Sequence, residues 1–135
     1  QFRINWVVGP YSKKPKYCKN NIKKFNQITF SNNLTPYINS TDYALTVYGV
    51  SFFELLYAGI PTVVYSPYNK KFKKELNEIN KLGIALVAEN EIDSVNKLSR
   101  LISDHKKSNE LFNKSKNQIQ NPGINSLIRE IKLLF

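Results

Sequence analysis

The stretch from Thr41 to Tyr65, TDYALTVYGVSFFELLYAGIPTVVY, decides how this chain is read. Tyr43 to Val47 is rich in strand-forming residues, Gly49 breaks it, and Ser51 to Ala58 then runs without a helix breaker to Gly59. Glycine tolerates the left-handed end of a helix, and Pro61 opens a second β-branched and aromatic run, Thr62 to Tyr65. Strand, helix and strand in immediate succession form a crossover unit whose two strands run parallel.

The same alternation extends in both directions. Phe2 to Val8 holds Ile4, Trp6, Val7 and Val8 and ends at Gly9-Pro10, as a buried parallel strand followed by a loop would. Lys16 to Asn26 reads as a basic surface helix and Ile28 to Phe30 as a short second strand. Asn32-Asn33 then marks a turn before a brief helix, Leu34 to Asn39, entered through Thr35-Pro36. Beyond Tyr65, Ser66-Pro67 leads into a helix from about Asn69 to Leu82, stopped by Gly83, and Ile84 to Ala88 is a fifth strand. Ile92 to Ser103 places Ile92, Val95, Leu98, Leu101 and Ile102 on one helical face, with a start at Asp93-Ser94 or just before. A more polar helix follows, Lys106 to Gln118. Asn121-Pro122-Gly123 is a break, and Ile124 to Phe135 closes the chain as an amphipathic helix with Leu134 and Phe135 on its apolar side. The pattern predicts a single α/β domain over residues 1–135. Its expected core is a Rossmann-like doubly wound parallel sheet of about five to six strands, covered by helices on both faces. Ligands of such sheets sit beyond the C-terminal strand ends, here after Val8, Phe30, Val47, Tyr65 and Ala88.

Composition narrows the function classes. With 135 residues, 41% hydrophobic and 22% charged, the chain suits one globular domain and not a disordered, collagenous or coiled-coil protein. It contains no run of about 20 apolar residues and no secretory leader pattern, so a cytoplasmic place is expected. Cys18 is alone and His105 is the only histidine, which excludes an internal disulfide and a structural zinc set. Lys and Arg total 20 against 10 for Asp and Glu, a net +10 that points to an anionic partner. A nucleotide or sugar phosphate, an acidic membrane surface and nucleic acid are the three candidates. Most of the lysine runs, Lys13-Lys14-Pro15-Lys16, Lys23-Lys24 and Lys70 to Lys74, are accounted for as solvated helix faces. The start at Gln1 directly before a strand, and the lack of methionine, suggest a piece of a longer protein.

Chemistry is concentrated where the strand ending at Val47 meets the next helix. Such a junction aims free backbone N–H groups and the positive helix end at an anion, and Gly49 lets the backbone come close while Ser51 adds a hydroxyl donor. The Glu54 carboxylate, one turn further, suits two hydrogen bonds from a vicinal diol such as a ribose. Phosphate on the amides and ribose on the carboxylate describe a nucleotide. The bland alternative makes Gly49 a turn residue, Ser51 a helix cap and Glu54 a first-turn acid. A hydrolase elbow starting at Gly49-Val50-Ser51 fares worse, because Phe53 stands where its later glycine belongs and His105 directly follows Asp104.

Gly49, Ser51, Glu54, Gly59 and Pro61, in this order and spacing, resemble the C-terminal nucleotide-binding domain of GT-B nucleotide-sugar enzymes. The chain is similar to the peptidoglycan N-acetylglucosaminyltransferases and to the UDP-sugar hydrolases of pseudaminic acid and spore-coat polysaccharide synthesis. The resemblance runs along nearly the whole chain and is specific over about Phe30 to Tyr68. It implies one GT-B half that binds the nucleotide part, expected to be UDP, of a nucleotide-sugar donor. The whole protein would then be a glycosyltransferase or hydrolase of cell-surface polysaccharide synthesis. Tyr48, Gly49, Val50 and Ser51 would cradle the diphosphate and Glu54 the ribose; Phe30, Ser31 and Leu34 would frame the base, and Gly9 would face the donor from the first loop. Asn69 and Lys70 are the candidate sugar contacts, matching the hydrolases' Asn-Gln pair in the first position only, while Lys73 and Lys74 follow where the transferases carry glutamine. No metal or other cofactor is implied. The catalytic base would belong to an N-terminal domain outside this chain, so no catalytic residue is assigned and the piece alone is expected to be inactive. The last helix would cross to that domain, and its exposed apolar side would favour self-association.

A non-enzymatic alternative is a basic α/β module for nucleic acid or an acidic membrane surface, the latter placing it peripherally on the inner membrane face. Tyr11, Tyr17 and Phe25 are too few for a base-stacking platform, so nucleic acid is not expected. A response-regulator-like switch would need clustered acids at strand ends, and Asp42 and Glu54 are not clustered.

Overall fold

A computed structural model describes residues 3–9, 25–29, 33–68 and 71–119. It is a mixed α/β protein whose five described strands pair in parallel in two small sheets, one of two strands and one of three, so that among the described residues no single sheet of five to six strands is formed. The contacts divide the chain into two compact units, Gln1–Ser40 and Thr41–Phe135.

In the first unit β1 (Ile4–Val8) pairs with β2 (Phe25–Thr29) in register from Ile4 opposite Phe25 to Val8 opposite Thr29. Trp6 and Phe25 pack with ring centroids 5.8 Å apart. Two expectations are corrected here. The second strand begins at Phe25, so the basic helix expected to reach Asn26 cannot cover Phe25 and Asn26. Alternation within FNQIT explains the difference: Phe25, Gln27 and Ile28 are partly or fully buried whereas Asn26 is exposed, and Asn26 Nδ2 donates to Asn5 Oδ1 across the pair. Strand β1 is also not the buried strand its composition suggests, since Ile4, Trp6 and Val7 are all exposed. The helix α1 (Thr35–Ile38) is a single turn with Pro36 in its first positions.

In the second unit β3 (Ala44–Val47), β4 (Thr62–Tyr65) and β5 (Leu86–Val87) lie side by side in chain order. The connecting helices are α2 (Val50–Ala58) and α3 (Lys73–Leu82), followed by α4 (Glu91–Ser103) and α5 (His105–Gln118). The central strand β4 shows why both faces need cover. Val64 packs with Phe52 and Leu56 of α2 and with Leu76 and Ile79 of α3, whereas Val63 packs with Leu101 of α4 and Leu111 of α5. Adjacent side chains of a strand point to opposite faces, so this β-branched run must be buried on both. Phe52, Leu56, Leu101 and Leu111 are essentially inaccessible. Burial of each stabilises the unit by about 1.5–3 kcal/mol.

Helix ends follow the sequence closely. Gly59 and Gly83 close α2 and α3 in the left-handed conformation, at φ 81 and 63. A Cβ at Gly59 would also stand 2.6 Å from Lys116 Cε and 2.9 Å from the Phe112 ring, so both side chains would have to shift. The strand expected over Ile84 to Ala88 pairs only at Leu86–Val87. Residues 71 and 72 form a turn, so α3 begins at Lys73, later than the expected Asn69. The expected break at Asn121-Pro122-Gly123 and the last helix, 124–135, lie outside the described residues. Among the described residues no helix is long and apolar enough to cross a membrane.

Candidate functional site

Strand β3 keeps its pairing one residue beyond Val47, because Tyr48 N donates to Tyr65 O at 2.8 Å. Gly49 then caps α2 with an extended backbone, φ 169 and ψ −167, that any residue could adopt. Nothing lies within 4 Å of where a Cβ at Gly49 would stand. The fold therefore does not demand glycine here, and the glycine leaves open space over the helix start. Its carbonyl accepts from Phe52 N at 3.1 Å, while the N–H groups of Val50 and Ser51 donate to no acceptor among the described residues. No side chain caps the helix and no acid stands in its first turn, so the positive end of α2 is left uncompensated. The Ser51 side chain, half-buried, and the exposed Glu54 carboxylate likewise have no hydrogen-bond or ion-pair partner among the described residues. Two parts of the bland alternative are thereby corrected. Ser51 is not the cap, because Gly49 holds that position, and Glu54 lies past the first turn.

The junction between β5 and α4, across β4 on the same sheet end, is built differently. Asn90 Oδ1 accepts from Asp93 N at 2.9 Å, and Asp93 Oδ2 accepts in return from Glu89 N at 2.9 Å. This reciprocal arrangement satisfies helix-start donors internally. Lys97 Nζ donates to Asp93 Oδ2 at 2.8 Å and to the Val87 carbonyl at 2.9 Å. The hydrogen bond from Lys97, followed by that from the Glu89 N–H, holds the Asp93 carboxyl below its ordinary range. Glu91 adds a second acid to the first turn. Burial, with a smaller contribution from the Glu91 carboxylate, pushes the Tyr65 hydroxyl above its ordinary range at the end of β4.

Aromatic side chains line the ends of β3 and β4. The Tyr48 ring lies 5.0 Å from Phe72, 5.9 Å from Phe53 and 6.1 Å from Phe52, centroid to centroid. Tyr68 meets Phe72 at 6.5 Å, and Lys71 Nζ stands 5.4 Å from the Phe72 ring centre. Phe53, Tyr68, Lys71 and Phe72 are not among the residues singled out from the sequence. Only the aromatic content of each segment hinted at them, since Tyr48 and Phe72 come from different crossover units.

The remaining sequence candidates divide into three groups. Tyr48, Gly49, Val50, Ser51 and Glu54 are brought together at the β3–α2 junction. Gly9 follows β1 and Leu34 caps α1 in the first unit, where the Leu34 carbonyl accepts from Tyr37 N and Ile38 N at 3.0 Å each. Phe30, Ser31, Asn69 and Lys70 lie outside the described residues. Lys73 and Lys74 are exposed on α3, as a solvated helix face would be. Asp104 accepts from Lys107 N at 2.9 Å as the cap of α5, a structural duty that leaves the hydrolase elbow without an orienting acid for His105. A depression of about 240 Å³ involving Asp42, Tyr43, Pro61, Asn109 and Phe112 opens near the opposite, N-terminal ends of β3 and β4. The chain matches no protein-family model, and no curated protein is significantly similar to it.

Proposed function

We infer that this chain holds the nucleotide part, UDP, of a nucleotide-sugar donor. It does so as the C-terminal, Rossmann-like doubly wound half of a GT-B-type glycosyltransferase or nucleotide-sugar hydrolase of cell-surface polysaccharide synthesis. The observation that carries the reading is the start of α2, where the Val50 and Ser51 N–H groups have no acceptor among the described residues and the missing Cβ of Gly49 leaves room for a ligand. A diphosphate satisfies those donors and the uncompensated helix end together. The Ser51 hydroxyl and Glu54 carboxylate, neither engaged within the described protein, are then left for a phosphate oxygen and a ribose diol. Parallel pairing of all described strands and helices on both faces of β4 are in keeping with a doubly wound sheet. The sugar contacts Asn69 and Lys70 and the base frame at Phe30, Ser31 and Leu34 belong to this reading as proposals resting on the sequence resemblance.

Calorimetric titration with UDP, CDP and GDP at two salt concentrations tests it. UDP is expected to bind in preference to the other two, and Glu54→Ala to weaken it about tenfold, the loss of one hydrogen-bonded charged contact. Equal, salt-erased binding of all three that ignores Glu54 overturns the assignment.

A further inference from the structure

The outer face of α2 continues into the aromatic run past the strand ends. Val50, Phe53 and Tyr57 recur at the spacing of one helical face and all three are exposed, Val50 by 78%. Phe53 packs on Tyr48, Tyr48 on Phe72, and Phe72 on Tyr68, which is itself 64% exposed. The result is a run of exposed or half-buried apolar and aromatic side chains in which Tyr48, Phe53, Phe72 and Tyr68 touch in series. A cation stands at each end of it. Lys116 Nζ lies 5.9 Å from the Tyr57 ring centre, and Lys71 Nζ lies 5.4 Å from that of Phe72. Neither ammonium is paired with a carboxylate among the described residues. Lys73 and Lys74 are exposed just beyond Phe72.

We propose that this strip is a docking surface for an anionic lipid bilayer. Charge complementarity selects the occupant. A bilayer rich in acidic lipids presents negative headgroups over an apolar interior, and a strip of rings bracketed by ammonium groups with no carboxylate partner among the described residues, one of them held by the Tyr57 carbonyl, is complementary to both layers. Tyrosines at Tyr57 and Tyr68 suit the boundary, with a ring for the acyl side and a hydroxyl for the headgroups. Val50 offers an aliphatic side chain that a lipid interior accepts. The excess of 20 basic over 10 acidic residues strengthens attraction to the same surface. On the exposed face of α2 the opposing charge is Glu54. The strip shares Tyr48 and Val50 with the proposed diphosphate cradle, so lipid docking and nucleotide binding would compete there, and the vesicle test is run without nucleotide.

Cosedimentation of the full chain with phosphatidylcholine vesicles, with and without phosphatidylglycerol, tests it. Binding is expected only when phosphatidylglycerol is present. Phe53→Ser should lower the partition coefficient about tenfold, the effect of withdrawing one large apolar side chain, and Tyr68→Ser by several-fold. Because Phe53 also touches Tyr48 and Phe52, the more exposed Tyr68 serves as the second variant, with the circular dichroism of both checked against the parent. Glu54→Gln should raise the partition about fivefold by removing the repelling charge. No binding to either vesicle overturns the proposal. So does binding that Phe53→Ser and Tyr68→Ser leave unchanged, which would show lysine attraction without insertion, and so does preference for a polyanionic nucleic acid over vesicles.

Discussion

Three helices begin at the same end of the three-stranded sheet; α3 has no side-chain cap but carries Glu75 in its first turn, while α2 and α4 treat that turn in opposite ways. Helix α4 is closed by its own sequence: Asn90 and Asp93 satisfy backbone donors, Lys97 locks Asp93, and Glu91 supplies further negative charge. Helix α2 has glycine as its cap and neither a capping side chain nor an acid in its first turn. A protein that needed only stability would gain from capping both, since a side-chain cap is worth about 1 kcal/mol over alanine. An open start at α2 and a sealed one at α4, among the described residues, is the contrast on which the proposed nucleotide site rests.

Closing α2 is the most damaging way to break that contrast. Gly49→Asp fits the extended backbone, meets no steric obstacle, and puts a carboxylate where the diphosphate would lie. UDP binding should fall more than a hundredfold, about 3 kcal/mol, in the titration, while the urea midpoint holds or rises. A folded Gly49→Asp that still binds UDP as the parent does would remove the distinction between the two helix starts. Opening α4 is the converse experiment. Asn90→Ala should cost about 1 kcal/mol in urea unfolding and leave UDP affinity unchanged.

The smallest effect is a pH dependence. The Asp93 carboxyl titrates below its unfolded value, so its contribution is present above the unfolded pKa and is lost as the pH falls through the folded one. Urea midpoints of the parent should therefore drop as the pH is lowered below about 4, and Asp93→Asn should flatten that part of the profile. An unchanged slope would mean that Asp93 does not set the difference between the junctions in acid.

The parts of this fold legible in the sequence are those fixed by local chemistry. Gly59 and Gly83 announce left-handed helix ends because few other residues adopt that backbone, and Thr62 to Tyr65 announces itself by β-branching. Strand β2 was harder to read, because Asn26 and Gln27 break its apolar character and the preceding lysines draw a helix over it. The length of β5 depends on its partner, and only two of its residues find register with β4. At the candidate site, Gly49, Ser51 and Glu54 are close in sequence and could be read together. The aromatic strip could not, since it is assembled from two separate loops and a helix face that meet only after the sheet has formed. Which acid compensates which helix start was also hidden, because an Asn and an Asp at the right interval become a cap only once the turn before them is set.

The order of β3, β4 and β5 across their sheet is the order in which a ribosome delivers them. Each new strand can be laid against the last one made, with its preceding helix already folded over the growing layer, so no strand must wait for a later one to be inserted beside it. Helix α5 is the exception. Leu111 completes the packing around Val63 that Leu101 of α4 begins, and Lys116 hydrogen-bonds the Tyr57 carbonyl across 59 positions of chain, so the nascent layer stays only partly covered on that side until this helix emerges. Synthesis that stalls before α5 would leave a correctly ordered sheet with an unfinished face, the kind of intermediate on which chaperones act.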